Sequence, residues 1–469
     1  MVESFREGAI MEKKLFVLIA ALFVCSGQQI FAGGERANVR GMGMARTFVG
    51  SSKGLDAVGI NPANLAMKDN AFTVSLAPFG VHAGSDFITL GTYNKYFTGT
   101  QTTSGRVATY LDENAKQDIL SAFNGGVGQI SADVSARLLG VSLQIESIGG
   151  FAFTVTDQLA ASASVPKEYL EFALYGNPPG STYNFNGTKA EASWLREYAL
   201  SFGGTIPHFG FLDWMSVGAS VKFVQGFGYY EFGQFNTSLV TSEDGILTGH
   251  VSYASRIAGK DPNTGSFTPG IFGMPVVGNG TGFDIGIAGG TQSGITFGLS
   301  LIDIGKLNWE ENIEERSADT TIVVYDPRQV EDGQAIANSL KGKTKTGAPF
   351  SSSLPTTFRA GVAFQVDKLI QWVPGELIFG VDFNQGLVDA PGATTKGRVS
   401  AGMEWKLLKF LPIRTGISFG GTDRMNYALG FGINVGFFDL DLATENIELL
   451  MSPDNFSHGS IAVGTRFRF

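Results

Sequence analysis

The chain ends in Gly459-Ser-Ile-Ala-Val-Gly-Thr-Arg-Phe-Arg-Phe469, a stretch in which two kinds of residue alternate without interruption. Successive side chains of a β-strand point to opposite faces, so the pattern predicts a strand with one apolar and one polar face. The polar face includes the cations Arg466 and Arg468, and the apolar face carries Ile461, Val463, Thr465, Phe467 and Phe469.

The same alternation recurs along the chain and predicts the fold class. One face of each segment is large and apolar, and the other is mostly Gly, Ser, Ala, Thr and Asn with scattered charges, which suits a barrel interior. A soluble β-sandwich also alternates, so the pattern alone leaves that alternative open. We expect an all-β, transmembrane up-and-down barrel of about 14 antiparallel strands. The clearest segments are 139–146, 215–223, 377–384, 399–407, 413–419 and 427–435.

The composition agrees with a chain that meets lipid. Among 469 residues there are 63 glycines and 38 phenylalanines, and charged residues make up only 16%. The net charge of −9 and the absence of a basic stripe argue against a nucleic-acid partner.

The N-terminus reads as a secretory signal. Lys13 and Lys14 precede an apolar run from Leu15 to Cys25, which is too short to span a bilayer. We expect cleavage after Ala32, so that residues 1–32 are removed and the mature chain carries no cysteine. A membrane anchor or a lipoprotein modified at Cys25 are the alternatives, and Met11 is a possible true start. No later segment has eighteen consecutive apolar residues, so an exported chain is either soluble or a closed barrel.

The connections predict which end of the barrel faces which compartment. Segments 210–214, 366–375 and 405–412 are short, and each places a Trp near the headgroup level, as expected for periplasmic turns. The domain boundaries are therefore 33–70 for an N-terminal segment and 71–469 for the barrel. Long outward loops are expected near 100–127, 158–192, 257–281 and 304–354, with helices at 112–123, 167–174 and 326–340.

The segment before the first strand resembles that of a known family. It contains Arg40-Gly-Met-Gly-Met-Ala45 and Asp56-Ala-Val-Gly-Ile-Asn-Pro-Ala-Asn-Leu-Ala66, in which Asn61 can cap a short helix that begins at Pro62. In this position, these residues resemble the long-chain fatty acid transporter (FadL-type) family of outer-membrane barrels, including the PorV-type relatives.

The resemblance implies a barrel whose lumen is plugged by residues 33–70. In the transporter branch a hydrophobic ligand binds in the barrel, the plug shifts, and the ligand leaves sideways through a strand irregularity into the membrane. A capped helix that only fills the barrel is the equal alternative. The plug or gate residues carried over are Gly41, Gly43, Asn61, Pro62 and Ala63.

Several charged residues fall on the inward face of the predicted strands. We expect them to form salt bridges that anchor the plug, or to hold an anionic headgroup such as a carboxylate. These lumen charges are Arg398, Arg414, Arg466, Arg468, Glu376, Asp382 and Glu404.

Catalytic and metal-binding patterns are weak throughout the sequence. The histidines His82, His208, His250 and His458 have no second ligand at metal-binding spacing, so no metal, no cofactor and no enzymatic activity are expected. A Ca²⁺ site at 310–316 is less plausible than a solvated loop.

The leading hypothesis is an outer-membrane barrel, located in a bacterial outer membrane, for the uptake of hydrophobic small molecules such as fatty acids or hydrocarbons. The expected partners are outer-membrane lipid, the hydrophobic ligand and the barrel assembly machinery, which would read the strand ending at Phe469. The alternative is a PorV-type barrel that does not transport and serves a secretion or surface-attachment complex. A barrel enzyme is a third possibility.

Overall fold

In the computed structural model the described residues are 37–103, 105–208, 210–260, 275–325, 338, 340–388, 390, 394–421 and 425–469. The expected signal peptide lies outside them, and so does most of the helix expected at 326–340. None of the described helices is long and apolar enough to cross a membrane.

Strands dominate the described chain. In order they are β1 (Phe72–Leu76), β2 (Phe79–Ser85), β3 (Thr100–Thr102), β4 (Gly105–Val107), β5 (Val127–Ile145), β6 (Gly149–Pro166), β7 (Thr182–Asn184), β8 (Lys189–Ile206), β9 (Trp214–Thr241), β10 (Leu247–Ala258) and β11 (Gly278–Gly290). They continue as β12 (Ile295–Trp309), β13 (Ile313–Val324), β14 (Lys343–Thr346), β15 (Phe350–Ser353), β16 (Thr357–Gln365), β17 (Glu376–Gly386), β18 (Arg398–Leu408), β19 (Leu411–Gly420), β20 (Met425–Val435), β21 (Phe438–Thr444) and β22 (His458–Arg468).

The helices are short. They are α1 (Val39–Gly43), α2 (Leu90–Tyr96), α3 (Glu113–Ser121), α4 (Glu168–Tyr175), α5 (Val366–Leu369) and α6 (Glu448–Met451). Among the described residues, 3₁₀ turns occupy Gly54–Ala57, Pro62–Ala66, Asn124–Gly126 and Pro453–Asn455. Asp112 caps α3 by accepting a hydrogen bond from the Ala115 amide at 2.8 Å, as its position before a helical segment predicts.

The strands close into one antiparallel barrel of 14 positions. Nine positions are single strands, and five are interrupted strands: β1 with β2, β7 with β8, β10 with β11, β12 with β13, and β14 with β15 and β16. The C-terminal strand β22 pairs with β1 and β2, and this pairing closes the ring. The prediction of a closed up-and-down barrel of about 14 strands is confirmed, and the soluble sandwich is wrong.

Alternating side chains give the barrel an apolar exterior. On β8, for example, Leu200 is 62% exposed while the neighbouring Ser201 is buried. Large apolar side chains in this arrangement suit contact with acyl chains rather than water, so the barrel is of the bacterial outer-membrane type. Further outward residues are Phe202, Val221, Phe223, Phe283, Ile285, Val399, Phe419, Phe431, Ile433 and Ile461.

The two ends of the barrel differ in the length of their connections. Short connections join β5 to β6, β11 to β12, β18 to β19 and β20 to β21 at the end that also holds the C-terminus, here called the turn end. Longer connections lie at the opposite, loop end. Trp372 at the turn end is 82% exposed, as expected for a side chain at the headgroup level.

Strand extents differ from the predicted loops. Within the ranges 158–192 and 304–354, strands β6, β8, β12 and β13 continue, and β14 and β15 follow. These strand segments extend past the loop end of the barrel. There both faces of the sheet contact water, so an alternation of apolar and polar residues is no longer required. Aromatic packing joins this extension to the barrel. The ring centroid of Tyr229 lies 5.2 Å from that of Trp309 and 5.2 Å from that of Phe350.

Candidate functional site in the plugged lumen

The N-terminal segment, residues 37–70, lies inside the barrel. It folds as α1 followed by two 3₁₀ turns, and nearly all of residues 37–67 are buried. The Asn38 side chain starts α1 by accepting a hydrogen bond from the Gly41 amide at 3.0 Å. Asn61 caps the second 3₁₀ turn through the Ala63 amide at 3.1 Å, at the position that the sequence predicts.

Glycines on most of the barrel strands form a belt against which this segment lies. A methyl group built on Gly402 or Gly416 would meet the backbone of Met44, and one on Gly218 would meet the backbone of Pro62 and Ala63. Neighbouring members pair across strands, as Gly402 does with Gly416. We call this set the glycine belt: Gly140, Gly150, Gly203, Gly218, Gly286, Gly298, Gly361, Gly380, Gly402, Gly416, Gly430 and Gly464.

Wall side chains hydrogen-bond to the backbone of the segment. The Ser216 hydroxyl donates to the Ala63 carbonyl at 3.0 Å, and the Ser300 hydroxyl donates to the Ile60 carbonyl at 2.6 Å. Asp382 accepts from the Val49 amide at 2.7 Å. The close backbone approach that the belt permits therefore comes with direct polar contacts.

A buried ion network fixes the segment to the wall. Arg40 contacts Glu404 at 2.9 Å and Asp56 at 3.0 Å. Arg414 lies 2.5 Å from Glu404 and 2.6 Å from Asp441, and Arg466 lies 2.8 Å from Asp56. The three arginines and three carboxylates balance in charge, and Lys406, 3.6 Å from Glu404, also pairs with Glu376 at 3.1 Å. Such balance is the condition under which buried ions are tolerated.

The structure places the predicted plug residues at different points of this interface. Gly43 lies against Gly430, and Asn61 lies against Gly286. Gly41 instead packs within the segment, against Asn38 and Phe48.

The predicted lumen charges lie in different surroundings. Arg414, Arg466 and Glu404 belong to the ion network, and Asp382 binds the backbone of the segment. Arg468 pairs with Asp439 at 2.6 Å near the turn end, and Arg398 lines the open part of the lumen. Glu376 is a correction: its side chain is 49% exposed and pairs with Lys406 at 3.1 Å, because its strand has reached the end of the barrel.

Sequence reasoning missed several functional contacts. In the sequence Arg40 and Asp56 stand out only as members of a motif, although together they contact two wall strands, β18 through Glu404 and β22 through Arg466. Arg46 pairs with Glu445 at 2.6 Å. The sequence signal for these contacts is the presence of isolated charged residues in a segment of otherwise small and apolar residues. Because a buried ion requires a partner, such charges predict ion pairs with the barrel wall.

A cavity of about 360 Å³ lies in the lumen on the loop side of the segment. We call it the luminal cavity. Both apolar and polar groups line it, which suits an amphipathic molecule more than a pure hydrocarbon. Lining residues include the apolar Val58, Ile130 and Leu195 and the charged Arg137, Arg359 and Arg398.

The barrel wall is interrupted beside the segment. Between β1 and β2, Ala77 has a φ of +49° and precedes Pro78, while β5 opposite carries a bulge between Arg137 and Leu139. Side chains replace part of the lost ladder: Ser75 donates to the Thr465 carbonyl at 3.0 Å. We call this feature the wall break.

A second, small cavity of about 10 Å³ lies between the wall break and the segment. That volume is about the minimum for a single water molecule. Its lining includes the apolar Val39, Leu55 and Pro78 and also Gly464, Arg137 and three members of the ion network, Asp56, Asp441 and Arg466.

Histidines do not form a common centre in the described chain. His82 lies 2.9 Å from Asp133, and its ring centroid is 6.4 Å from that of His458. Among the residues that the structure describes, no group of three or more His, Cys, Asp or Glu is placed to hold a metal ion.

Comparisons with known proteins give one family and several similar structures. The model of a family of unknown function, DUF5723, matches residues 62–445. No curated protein matches. The solved toluene transporter TbuX of Ralstonia pickettii is 11% identical with a TM-score of 0.45, and the match covers 94% of this chain and 99% of that one. The P. putida toluene transporter TodX is 11% identical with a TM-score of 0.46 over the same shares.

A Pseudomonas aeruginosa FadL homologue is 13% identical with a TM-score of 0.44, and the match covers 94% of this chain and 100% of that one. FadL-type barrels thus recur among the similar structures, as the N-terminal motif predicted.

Proposed function

This chain belongs to the family of unknown function DUF5723, and we propose that it takes up hydrophobic small molecules, of the fatty acid or hydrocarbon class, across a bacterial outer membrane. The ligand enters the luminal cavity from the loop end, the N-terminal segment yields locally, and the ligand leaves through the wall break into the bilayer.

The observation that carries the proposal is the position of the wall break. The luminal cavity and the small cavity behind the break lie on two sides of residues 55–58, and Arg137 lines both of them. A shift of this short stretch would join the two cavities. The rest of the segment could stay in place, held by the glycine belt.

The direct route toward the turn end is unfavourable for such a ligand. It would pass the whole buried ion network of Arg40, Glu404, Asp56, Arg414, Asp441 and Arg466, whereas the route through the small cavity borders only Asp56, Asp441 and Arg466. An apolar molecule there would separate buried ion pairs, which is costly. Exit into acyl chains instead transfers apolar surface into an apolar medium.

The glycine belt favours the second candidate function, a PorV-type barrel that does not transport. A segment that touches wall backbone over most of the ring is suited to a permanent filling. In that case the barrel is a structural subunit of a secretion or surface-attachment complex, and the luminal cavity does not bind a transported ligand.

Uptake measurements separate the two functions. Cells that lack the gene, and the same cells carrying it on a plasmid, are given labelled fatty acids of several lengths and toluene. The proposal expects faster uptake of at least one compound in the complemented cells. Equal uptake across the panel, together with co-purification of a secretion machine, would favour the non-transporting barrel.

A further inference from the structure

We propose that the luminal cavity binds the ammonium group of an amphipathic amine through Glu197 and Asp303. This inference goes beyond the proposed function. It adds a cationic class of ligand to fatty acids and hydrocarbons, and it does not depend on how a ligand leaves the barrel.

A buried cluster of ionisable side chains forms one wall of the luminal cavity. Lys222 Nζ lies 3.0 Å from Asp284 Oδ1 and 3.5 Å from Glu197 Oε2, and it also contacts Asp303. The four residues come from β8, β9, β11 and β12, and all of them except Asp284 line the cavity. We call this cluster the acidic wall.

The acidic wall carries more negative charge than its lysine neutralises. Three carboxylates surround one ammonium, and within the described part of the chain no other cation pairs with these carboxylates. The ion network around Arg40, in contrast, contains equal numbers of both signs. Because buried charge without a counterion is costly, the acidic wall favours the binding of a further cation.

Two carboxylate oxygens of the acidic wall have no hydrogen-bond partner. They are Oε1 of Glu197, a residue that is only 4% exposed, and Oδ2 of Asp284, which is fully buried. A buried acceptor without a donor costs free energy. Since Glu197 borders the cavity, a ligand with N–H groups can supply the donor that its Oε1 lacks.

A distortion of β12 brings Asp303 to this wall. Successive residues of a regular strand face opposite sides, yet Ile302 and Asp303 both line the cavity. Asp303 has a φ of +57°, and the pairing of β12 with β11 shifts register between Phe283 and Ile285. Such a bulge re-aims a side chain, and here it turns a carboxylate into the lumen that regular alternation would direct toward lipid.

A primary ammonium suits this site better than a metal ion does. Lys222 Nζ already lies among the three carboxylates, and in the described ranges no acidic group is arranged to coordinate a metal. An alkylammonium has three N–H donors and can bond to Glu197 and Asp303 from the cavity side. With it bound, three carboxylates face two cations, which brings the acidic wall closer to neutrality.

Apolar residues beside the acidic wall suit the rest of such a ligand. Leu195 and Ala199 flank Glu197 on the inward face of β8, and Ile302 precedes Asp303 on β12. An alkyl chain that extends from the ammonium therefore finds apolar surface within the same cavity.

Other parts of the cavity orient the ligand by repulsion. Arg137, Arg359 and Arg398 line it on β5, β16 and β18. Cations on these strands disfavour an ammonium near them, so the ligand's charged end is directed to the acidic wall.

The test compares octylammonium with 1-octanol, which have the same chain length and differ in charge. Purified protein in phosphatidylcholine nanodiscs is titrated calorimetrically with each probe, and empty nanodiscs give the baseline. We expect wild type to prefer octylammonium by about tenfold, the effect of roughly one charge-assisted hydrogen bond. Glu197→Gln should lose this preference and keep its affinity for 1-octanol. Glu376→Gln, which removes a carboxylate remote from the cavity, should behave as wild type.

A third probe separates hydrogen bonding from charge alone. Trimethyloctylammonium keeps the positive charge but has no N–H donor, so wild type should bind it several-fold more weakly than octylammonium.

The stability of Glu197→Gln separates a ligand site from a structural ion pair. Lys222 keeps two carboxylate partners in this variant, and the excess negative charge falls by one. The variant should therefore unfold at the same urea concentration as wild type or at a higher one.

The contrary results are distinct. Equal affinity of wild type for octylammonium and 1-octanol would mean that protons neutralise the acidic wall, and it would overturn the inference. An unchanged preference in Glu197→Gln, or unfolding of this variant at a clearly lower urea concentration, would overturn it as well. Each of these results leaves the uptake of fatty acids and hydrocarbons to be decided by the uptake measurements.

Discussion

The guanidinium of Arg40 grips the carboxylate of Glu404, with Nη2 at 2.9 Å from Oε1, although the two residues are 364 positions apart in the chain. Both lie in the buried network that joins the N-terminal segment to the last strands of the barrel. The pair therefore couples the fold of the segment to the closure of the barrel.

Replacing Glu404 with Gln should strongly destabilise this coupling. Arg40 and Arg414 would then share a buried region with one carboxylate fewer, and breaking a buried ion pair on one side costs about 3–5 kcal/mol. The free energy of unfolding in urea, measured in lipid vesicles, checks the value. Glu376→Gln is the matched control, since its pair with Lys406 is half exposed and should contribute under about 1 kcal/mol. Equal effects of the two substitutions would contradict the assigned network.

Adding one methyl group to the glycine belt should also be costly. In Gly218→Ala the new Cβ would lie less than 3 Å from backbone atoms of Pro62 and Ala63, which cannot rotate away. We expect a loss of about 1–3 kcal/mol in unfolding free energy and faster proteolysis of the segment. Gly249→Ala, where only Leu239 is near at 3.6 Å, should be close to neutral. Unchanged protection of the segment in Gly218→Ala would argue that it does not rest on the belt.

The contact between helices α2 and α3 at the loop end should depend on pH. A hydrogen bond from the Tyr96 hydroxyl, followed by one from Lys95, lowers the pKa of Asp118 below its ordinary value of 3.8. A carboxyl with a depressed folded-state pKa stabilises the fold above its unfolded pKa, and this contribution is lost as pH falls through the folded value. The contact should therefore persist to about pH 4 and weaken below it.

Hydrogen exchange of residues 90–121, labelled over a series of acidic pH values, checks this expectation. Wild type should show increased exchange only at the acidic end of the series. Asp118→Asn should show increased exchange at every pH and no further change on acidification. Identical profiles for the two proteins would remove Asp118 from the account.

The barrel itself could be predicted from the sequence because its cause is local. Period-two alternation in segments such as 427–435 and 459–469 fixes which side chains face lipid. In the structure these segments are β20 and β22, which pair antiparallel with β19 and β2 respectively. Loop extents were less predictable, since beyond the membrane both faces of a strand meet water. There, residues 313–324 form β13 without the apolar alternation that marks the barrel.

The site could be predicted only in part, because its contacts are made between distant residues. Asn61 followed by Pro62 predicts a capped turn from residue type alone, and Asn61 caps it as expected. Nothing local connects Arg40 with Glu404, or Arg137 with the Leu55 carbonyl. The sequence shows that glycine is frequent on the inward face of the strands. Their role as a contact surface becomes clear only with the N-terminal segment that packs against them.

A reversible lock at the wall break tests the account most directly. The Cβ of Val39 lies 3.5 Å from a Cβ built on Gly464, a separation that a disulfide can bridge, and both residues line the small cavity. In Val39→Cys/Gly464→Cys, uptake should stop after oxidation and return to the rate of the unoxidised variant after reduction. Each single cysteine variant should transport at one rate under both conditions, which controls for the side chain added at Gly464. Transport through the oxidised double variant at the rate of its reduced form, with the disulfide confirmed by mass spectrometry, would contradict the proposed exit.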